Sequence, residues 1–279
     1  MEINHLGVNG VNLEYSLTGP AGKPVIAFVH GYSMNLKQFL EQERYFSNNY
    51  RVLLFSMRGH GSSSCPERPG RESFTLEVMA KDFVALLDRL GLPAVHWVGN
   101  SMGGLLGYRV LRDAPEKLQS LATFGITGRQ HYGPLFEIIA GISMNIVISL
   151  NLIPVLGKLG GSMVSKTPAV KEKVLKMAQE ASKLALKYGH FNVYSFDYLE
   201  ELAEAEVPVL LIRCEYDRAM NRVLGSTLKV LEASEKGTVI EMPGAGHFAN
   251  LDDPAQFNRI LENWYQQLTG WRVNRHGKG

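Results

Sequence analysis

Ser101 stands between Gly99 and Gly103 in the run Gly99-Asn100-Ser101-Met102-Gly103, directly after the apolar stretch Val95-His96-Trp97-Val98. Leu105 to Leu111 then reads as a helix. A serine at a strand-to-helix corner, flanked by glycines, is the pattern of a nucleophile elbow. The turn strains the serine backbone, and the glycines remove clashes that larger flanking side chains would make. The hydroxyl is held at a helix N-terminus, whose N–H groups point at it. A free hydroxyl is a weak nucleophile at neutral pH and needs a base within hydrogen-bond reach. His247, in Gly244-Ala245-Gly246-His247-Phe248, is the candidate base, able to take the Ser101 proton and return it to a leaving group. Asp217, in Glu215-Tyr216-Asp217, is the candidate carboxylate that orients the imidazole. Glu215 and Asp197 stay open as alternatives; Asp217 sits farther past its strand than Glu215, where the chain can turn toward His247. The competing bland readings are a turn serine and a loop histidine that merely packs.

Acyl transfer also needs hydrogen-bond donors for a developing oxyanion. The backbone N–H of Met102, the residue after the nucleophile, is the first candidate. The second is expected from His30-Gly31-Tyr32-Ser33, after the apolar strand Val25 to Val29.

These groups need a scaffold that brings distant segments together. The strands near 25, 51 and 95 are continuous apolar runs separated by helical segments, which predicts a parallel sheet covered on both faces. Leu118 to Phe124, Pro208 to Cys214 and Thr238 to Met242 read as further strands. Residues 5–17 alternate around Asn9-Gly10, a hairpin signal. Thr75 to Leu90 is an amphipathic helix closed by Gly91.

The order Ser101, Asp217, His247, together with the strands that precede each, closely resembles the α/β-hydrolase superfamily from about Val11 to about Leu268. The Ser-nucleophile, esterase- and lipase-like branch is the nearer resemblance. It implies a mostly parallel central sheet with helices on both faces and an inserted helical cap. Residues 1–128 and 205–279 would form the core, and 129–204 the cap. The resemblance makes the backbone N–H of Tyr32 the second oxyanion donor beside Met102. The Tyr32 side chain is expected either to line the acyl pocket or to pack, and His30 to hold its loop. Ser56-Met57-Arg58-Gly59-His60-Gly61-Ser62-Ser63 looks like the superfamily's Asp-x-Arg-Gly-x-Gly-x-Ser turn, an architectural motif. Ser56 replaces the usual Asp, which leaves Arg58 short of one expected partner.

Between Phe124 and Val207 no clear strand character is expected, over a length too great for a simple connection. Ile138 to Gly157 carries no charge over twenty residues, the length of a membrane span. Asn145, Asn151, Pro154 and several Gly and Ser interrupt it, so a helical cap is the better reading. A basic helix is expected to follow, with Val170, Val174, Met177, Ala181, Leu184 and Tyr188 on one face. Lys158 to Lys187 holds seven Lys against Glu172 and Glu180. That charge reads as a solvated outer face or as weak contact with an anionic membrane surface.

The chain has 279 residues, 45% hydrophobic, with a formal charge of +2, so no nucleic-acid partner is indicated. Cys65 and Cys214 fall in places unsuited to pairing. With no secretory signal in Met1-Glu2-Ile3-Asn4-His5, a cytoplasmic location is expected. His131 and His190 lack metal-ligand spacing, and no G-x-G-x-x-G opens a helix after the first strand. No metal and no cofactor are expected. A Ser at the elbow argues against the dehalogenase and epoxide hydrolase branches, which carry Asp there. The leading reaction is hydrolysis of a small ester with a hydrophobic acyl or alcohol part. Carbon–carbon hydrolysis of ring-cleavage products is a second reading, though Arg129 is the only Arg between Gly128 and Val207 to meet a substrate carboxylate. Lactonase or perhydrolase activity is a third, and a non-catalytic ligand-binding protein a fourth.

Overall fold

A computed structural model describes residues 2–150, 152, 165 and 167–276, with side chains to residue 268. Strands β1 (Asn4–Val8) and β2 (Val11–Thr18) form the expected hairpin, with positive φ at Asn9 (43°) and Gly10 (76°). β3 (Val25–Val29), β4 (Arg51–Phe55), β5 (Val95–Asn100) and β6 (Leu118–Phe124) follow. Two short strands, β7 (Arg129–His131) and β8 (Ser195–Asp197), precede β9 (Val209–Cys214) and β10 (Gly237–Met242). The main sheet has the order β1-β2-β4-β3-β5-β6-β9-β10, antiparallel at β1–β2 and β2–β4 and parallel elsewhere.

The buried strands pack on both faces by simple alternation. Val25, Ala27 and Val29 join Trp97, Phe83 and Leu105 on one side. Ile26 and Phe28 join Phe39, Phe124 and Trp264 on the other. The Leu76–Arg89 helix covers the first face, with Thr75 as its N-cap and Gly91 at φ 65° just past its end. β3 is flanked by β4 on one side and β5 on the other, so chain progression reverses there. The carboxyl ends of strands at such a reversal leave a crevice where ligands bind in open α/β sheets.

The segment between β6 and β9 departs from expectation in two places. β7 and β8 pair antiparallel, Arg129 opposite Asp197 and His131 opposite Ser195, giving the insertion a two-stranded root. Three residues are too few to display a strand period. The expected single basic helix is two helices, Pro168–Glu180 and Lys183–Gly189. Ser182 breaks it: its N–H donates to Gly59 O at 2.8 Å, and its hydroxyl accepts from Ala185 N. The apolar stretch is helical over Pro134–Ser149. Residues 151 and 153–157 of that stretch, with Lys158 and Lys166, lie outside the described residues. Among the described residues no helix is long and apolar enough to cross a membrane.

Candidate active site

Ser101 follows β5 and precedes the Met102–Asp113 helix, with φ 51° and ψ −117°, a region that side-chain-bearing residues rarely enter. Two close backbone approaches make this corner possible. A Cβ on Gly99 would lie 2.4 Å from Gly103 O, and one on Gly103 would lie 2.2 Å from Val29 O. Neither position tolerates a side chain, as the spacing predicts. Ser101 N donates to Phe124 O at 2.9 Å, anchoring the turn to the neighbouring strand.

His247 Nδ1 and Asp217 Oδ2 are 2.7 Å apart, with side-chain exposures of 18% and 8%. An ionised carboxylate accepts, so this bond places the proton on Nδ1 and leaves the lone pair on Nε2. The imidazole lies against the end of β6, where a Cβ on Gly125 would come within 3.1 Å of it. Its main-chain oxygen accepts from Asn100 Nδ2 at 3.0 Å, which ties the histidine loop to the residue beside Ser101. The Ser101 hydroxyl makes no hydrogen bond to the imidazole among the described contacts. Contacts of this kind commonly tighten only around substrate.

The two alternative carboxylates are engaged elsewhere. Glu215 Oε2 accepts from Gly244 N at 2.8 Å and braces the turn before His247. Asp197 sits on the outer ribbon, 3.7 Å from Arg129, and caps Leu199 N. Asp217 alone of the three meets the imidazole.

The loop after β3 comes close to the elbow: a Cβ on Gly31 would lie 3.5 Å from Ser101 Cβ. The backbone N–H groups of Tyr32 and Met102 donate to no protein acceptor among the described residues; Met102 directly follows Ser101, and Tyr32 directly follows Gly31. His30 holds this loop from below. Met57 N donates to its Nε2 at 2.9 Å, so its Nδ1 carries the proton and donates to Gly31 O at 2.8 Å. Burial holds its pKa well below the ordinary imidazole value, and His60, 5.1 Å away ring to ring, lowers it further. The Tyr32 hydroxyl donates to Leu186 O at 2.6 Å, so its ring braces the loop against the insertion. Burial, with Tyr194 nearby, raises that phenol's pKa.

Arg58 is not short of a partner, contrary to expectation. Its Nε and Nη2 each donate to Asp82 at 2.7 Å, and its Nη1 donates to Ser73 O. Ser56 instead meets a carboxylate from β2: its hydroxyl donates to Glu14 Oε2 at 2.6 Å, and Ser62 N donates to the same oxygen.

Sequence reasoning missed a buried ladder of amides beneath the site. Gln38 Oε1 accepts from Gly31 N at 3.1 Å, while its Nε2 donates to Asn100 Oδ1 at 2.9 Å and Asn250 Oδ1 at 3.3 Å. Asn250 Nδ2 donates to Gln38 O and Gln42 Oε1, and Gln42 Nε2 donates to Asn258 Oδ1. The loops carrying Tyr32, Ser101 and His247 are thereby bonded to one another through side chains. The signal was Gln38 and Gln42, one helical turn apart among Leu36, Phe39 and Phe46.

The insertion rests on these same loops. Met34 and Phe248 pack with Val170, Val174 and Met177 of the Pro168–Glu180 helix. Asn35 and Lys37 reach Glu180, and Ser165 donates to Asp252, whose other oxygen accepts from Gly246 N. Among the described residues no cluster of His, Cys, Asp and Glu could hold a metal ion. Cys65 and Cys214 are both free thiols.

Residues 26–260 match the alpha/beta hydrolase family. The chain is 26% identical over 271 residues to 3-oxoadipate enol-lactonase 2 of Acinetobacter baylyi, covering 92% of this chain and 94% of that protein. It is 29% identical to epoxide hydrolase 4 of Mus musculus over 113 residues, 40% of this chain and 31% of that protein. Among solved structures, a thermophilic esterase from Thermogutta terrifontis superposes with a TM-score of 0.84 at 18% identity, covering 96% of this chain and 99% of that one. An eight-stranded sheet whose reversal point carries a strained serine, matched over most of its length by one family, leaves one assignment: the chain belongs to the alpha/beta hydrolase family and is a hydrolase of that family.

Proposed function

We propose that the protein is a serine hydrolase of carboxylic esters with a small to medium, hydrophobic acyl or alcohol part. Residues 129–204 act as a cap over the site. Ser101 Oγ attacks the acyl carbon while His247 Nε2 takes its proton. The tetrahedral oxyanion is held by the N–H groups of Met102 and Tyr32, where one such donor is worth about 3 kcal/mol of barrier. The protonated imidazole gives its proton to the departing alcohol, and an acyl-enzyme remains. Water, deprotonated by the same Nε2, releases the acid and regenerates Ser101. Asp217 stays ionised throughout and stabilises the charged imidazole. All of these steps use side chains, backbone amides and water.

The observation that carries this reading is the 2.7 Å bond from Asp217 to His247, in a loop bonded through Asn100 to a serine at φ 51°. Replacing Ser101 with Ala is expected to lower kcat on nitrophenyl butyrate by at least roughly 10⁴-fold, with an unchanged thermal melt. Comparable turnover by that variant overturns the assignment.

A second reading, a cyclic ester, is favoured by the full-length match to an enol-lactonase. The chemistry is the same, except that the leaving oxygen stays attached to the acyl group and the product is one molecule. Comparing kcat/KM for lactones and open-chain esters of equal carbon count decides between them. Carbon–carbon hydrolysis is disfavoured, because Arg129 faces Asp197 on the outer ribbon and offers no clamp for a substrate carboxylate.

A further inference from the structure

The Pro134–Ser149 helix has no buried residue. Leu135, Ile138, Ile139, Ile142 and Ile146 recur at i, i+3, i+4, i+7 and i+11, which is one face of a helix, and they are 51–70% exposed. A stripe at this spacing normally turns toward a protein core. Here the helix rests with its other side on the Lys183–Gly189 helix and on Phe191, whose ring a Cβ on Gly141 would approach to 3.0 Å. The stripe therefore faces outward. At the helix start the exposed rings of Tyr132 and Phe136 stack at 4.3 Å between centroids. Aromatic rings at the edge of an apolar face are typical of a water–lipid boundary.

The charges of the insertion are not balanced. Between Gly133 and Asp197 the four carboxylates are all paired: Glu137 with Arg71, Glu172 with Lys176, Glu180 with Lys37 and Asp197 with Arg129. Lys171, Lys173, Lys183 and Lys187 have no carboxylate partner among the described residues. Lys183 and Lys187 lie one turn apart on the helix that directly supports the apolar one.

We propose that this face docks on an anionic lipid surface, with the apolar stripe in the interface and Lys183 and Lys187 of the adjoining helix, the latter also over the Tyr188 ring, against the head groups. At 16 residues the helix is about 24 Å long, shorter than the roughly 30 Å hydrocarbon core, so it lies along the surface. Apolar insertion and basic attraction together give the two signals that stable surface binding needs. A second copy of the chain fits less well. A two-fold pairing sets the same patch against itself and brings uncompensated lysines toward one another.

The full chain is tested by co-sedimentation with phosphatidylcholine vesicles and with vesicles that also contain phosphatidylglycerol. Partitioning onto the anionic vesicles is expected to be at least about tenfold stronger and to weaken as salt rises. The double variant Ile139→Asp/Ile142→Asp loses binding to both. Lys183→Gln/Lys187→Gln loses only the anionic preference. Ser101→Ala binds like the parent, so docking and the proposed chemistry fail independently. Thermal melts confirm that each variant is folded. Equal partitioning onto the two vesicle types, or none, overturns the proposal. So does light scattering that shows a dimer abolished by Ile139→Asp/Ile142→Asp, since a second copy then covers the stripe.

Discussion

Gln38 is fully buried and its side chain holds three hydrogen bonds; Ile142 is 56% exposed and lies on a helix none of whose residues is buried. The two belong to opposite sides of one construction. Beneath Ser101, polar groups are taken out of water and satisfied by one another, which is expensive to disturb because each partner left alone keeps its desolvation penalty. On the outer helix of the insertion, apolar groups stay in water, and Lys183 and Lys187 on the adjoining helix have no carboxylate partner among the described residues. The loops under the site are fixed by bonds already made. The outer helix is informative through the contacts it still offers.

The largest difference is expected from Gln38→Leu. It leaves Gly31 N–H without its acceptor and Asn100 Oδ1 without its donor, a loss of about 2–4 kcal/mol. Thermal melting should fall by roughly 5–10 °C. The Tyr32 loop and the elbow also lose their shared reference, so kcat on nitrophenyl butyrate is expected to drop roughly 100-fold with a smaller change in KM. A variant that melts early yet keeps kcat within about twofold of the parent shows that the ladder supports the fold without positioning the site.

The ladder left little mark in the sequence, whereas the Ser101 turn and the strands did, and the reason is range. Ser101 is announced by its own neighbours, since Gly99 and Gly103 record a backbone approach that excludes side chains. The parallel strands announce themselves as apolar runs. Gln38, Asn100, Asn250 and Asn258 meet only after the chain has folded, and amides carry no signature of partners 62 and 212 positions away. Glu14 facing Ser56 and Asp82 facing Arg58 are of the same kind. The break at Ser182 is another case: local helical spacing continues through it, but Gly59 O captures its N–H.

A smaller contrast concerns acid. Burial lowers the His60 pKa to about 4 and holds His30 well below its ordinary value. An unfolded chain protonates these rings near pH 6.5, while the folded one keeps them neutral. The unfolded state therefore binds more protons as pH falls, and stability declines with it. For His60 the decline runs from about pH 6.5 to about 4 and amounts to about 3 kcal/mol. Urea unfolding at a series of pH values should show this slope, and His60→Gln should remove about one proton of it. An unchanged slope in that variant assigns the acid sensitivity elsewhere.

The smallest effect is expected from Ile142→Asp. A large aliphatic side chain normally loses 2–5 kcal/mol on truncation because its contacts and its shelter from water vanish together. Ile142 has little shelter to lose, and a carboxylate at its position remains in water without a desolvation penalty. Folding stability should change by no more than about 0.5 kcal/mol by urea unfolding. A loss above about 2 kcal/mol would mean that the stripe is covered within the monomer in solution. The apolar helix would then belong with the ladder, as a region whose bonds are already made, and the contrast between the two would disappear.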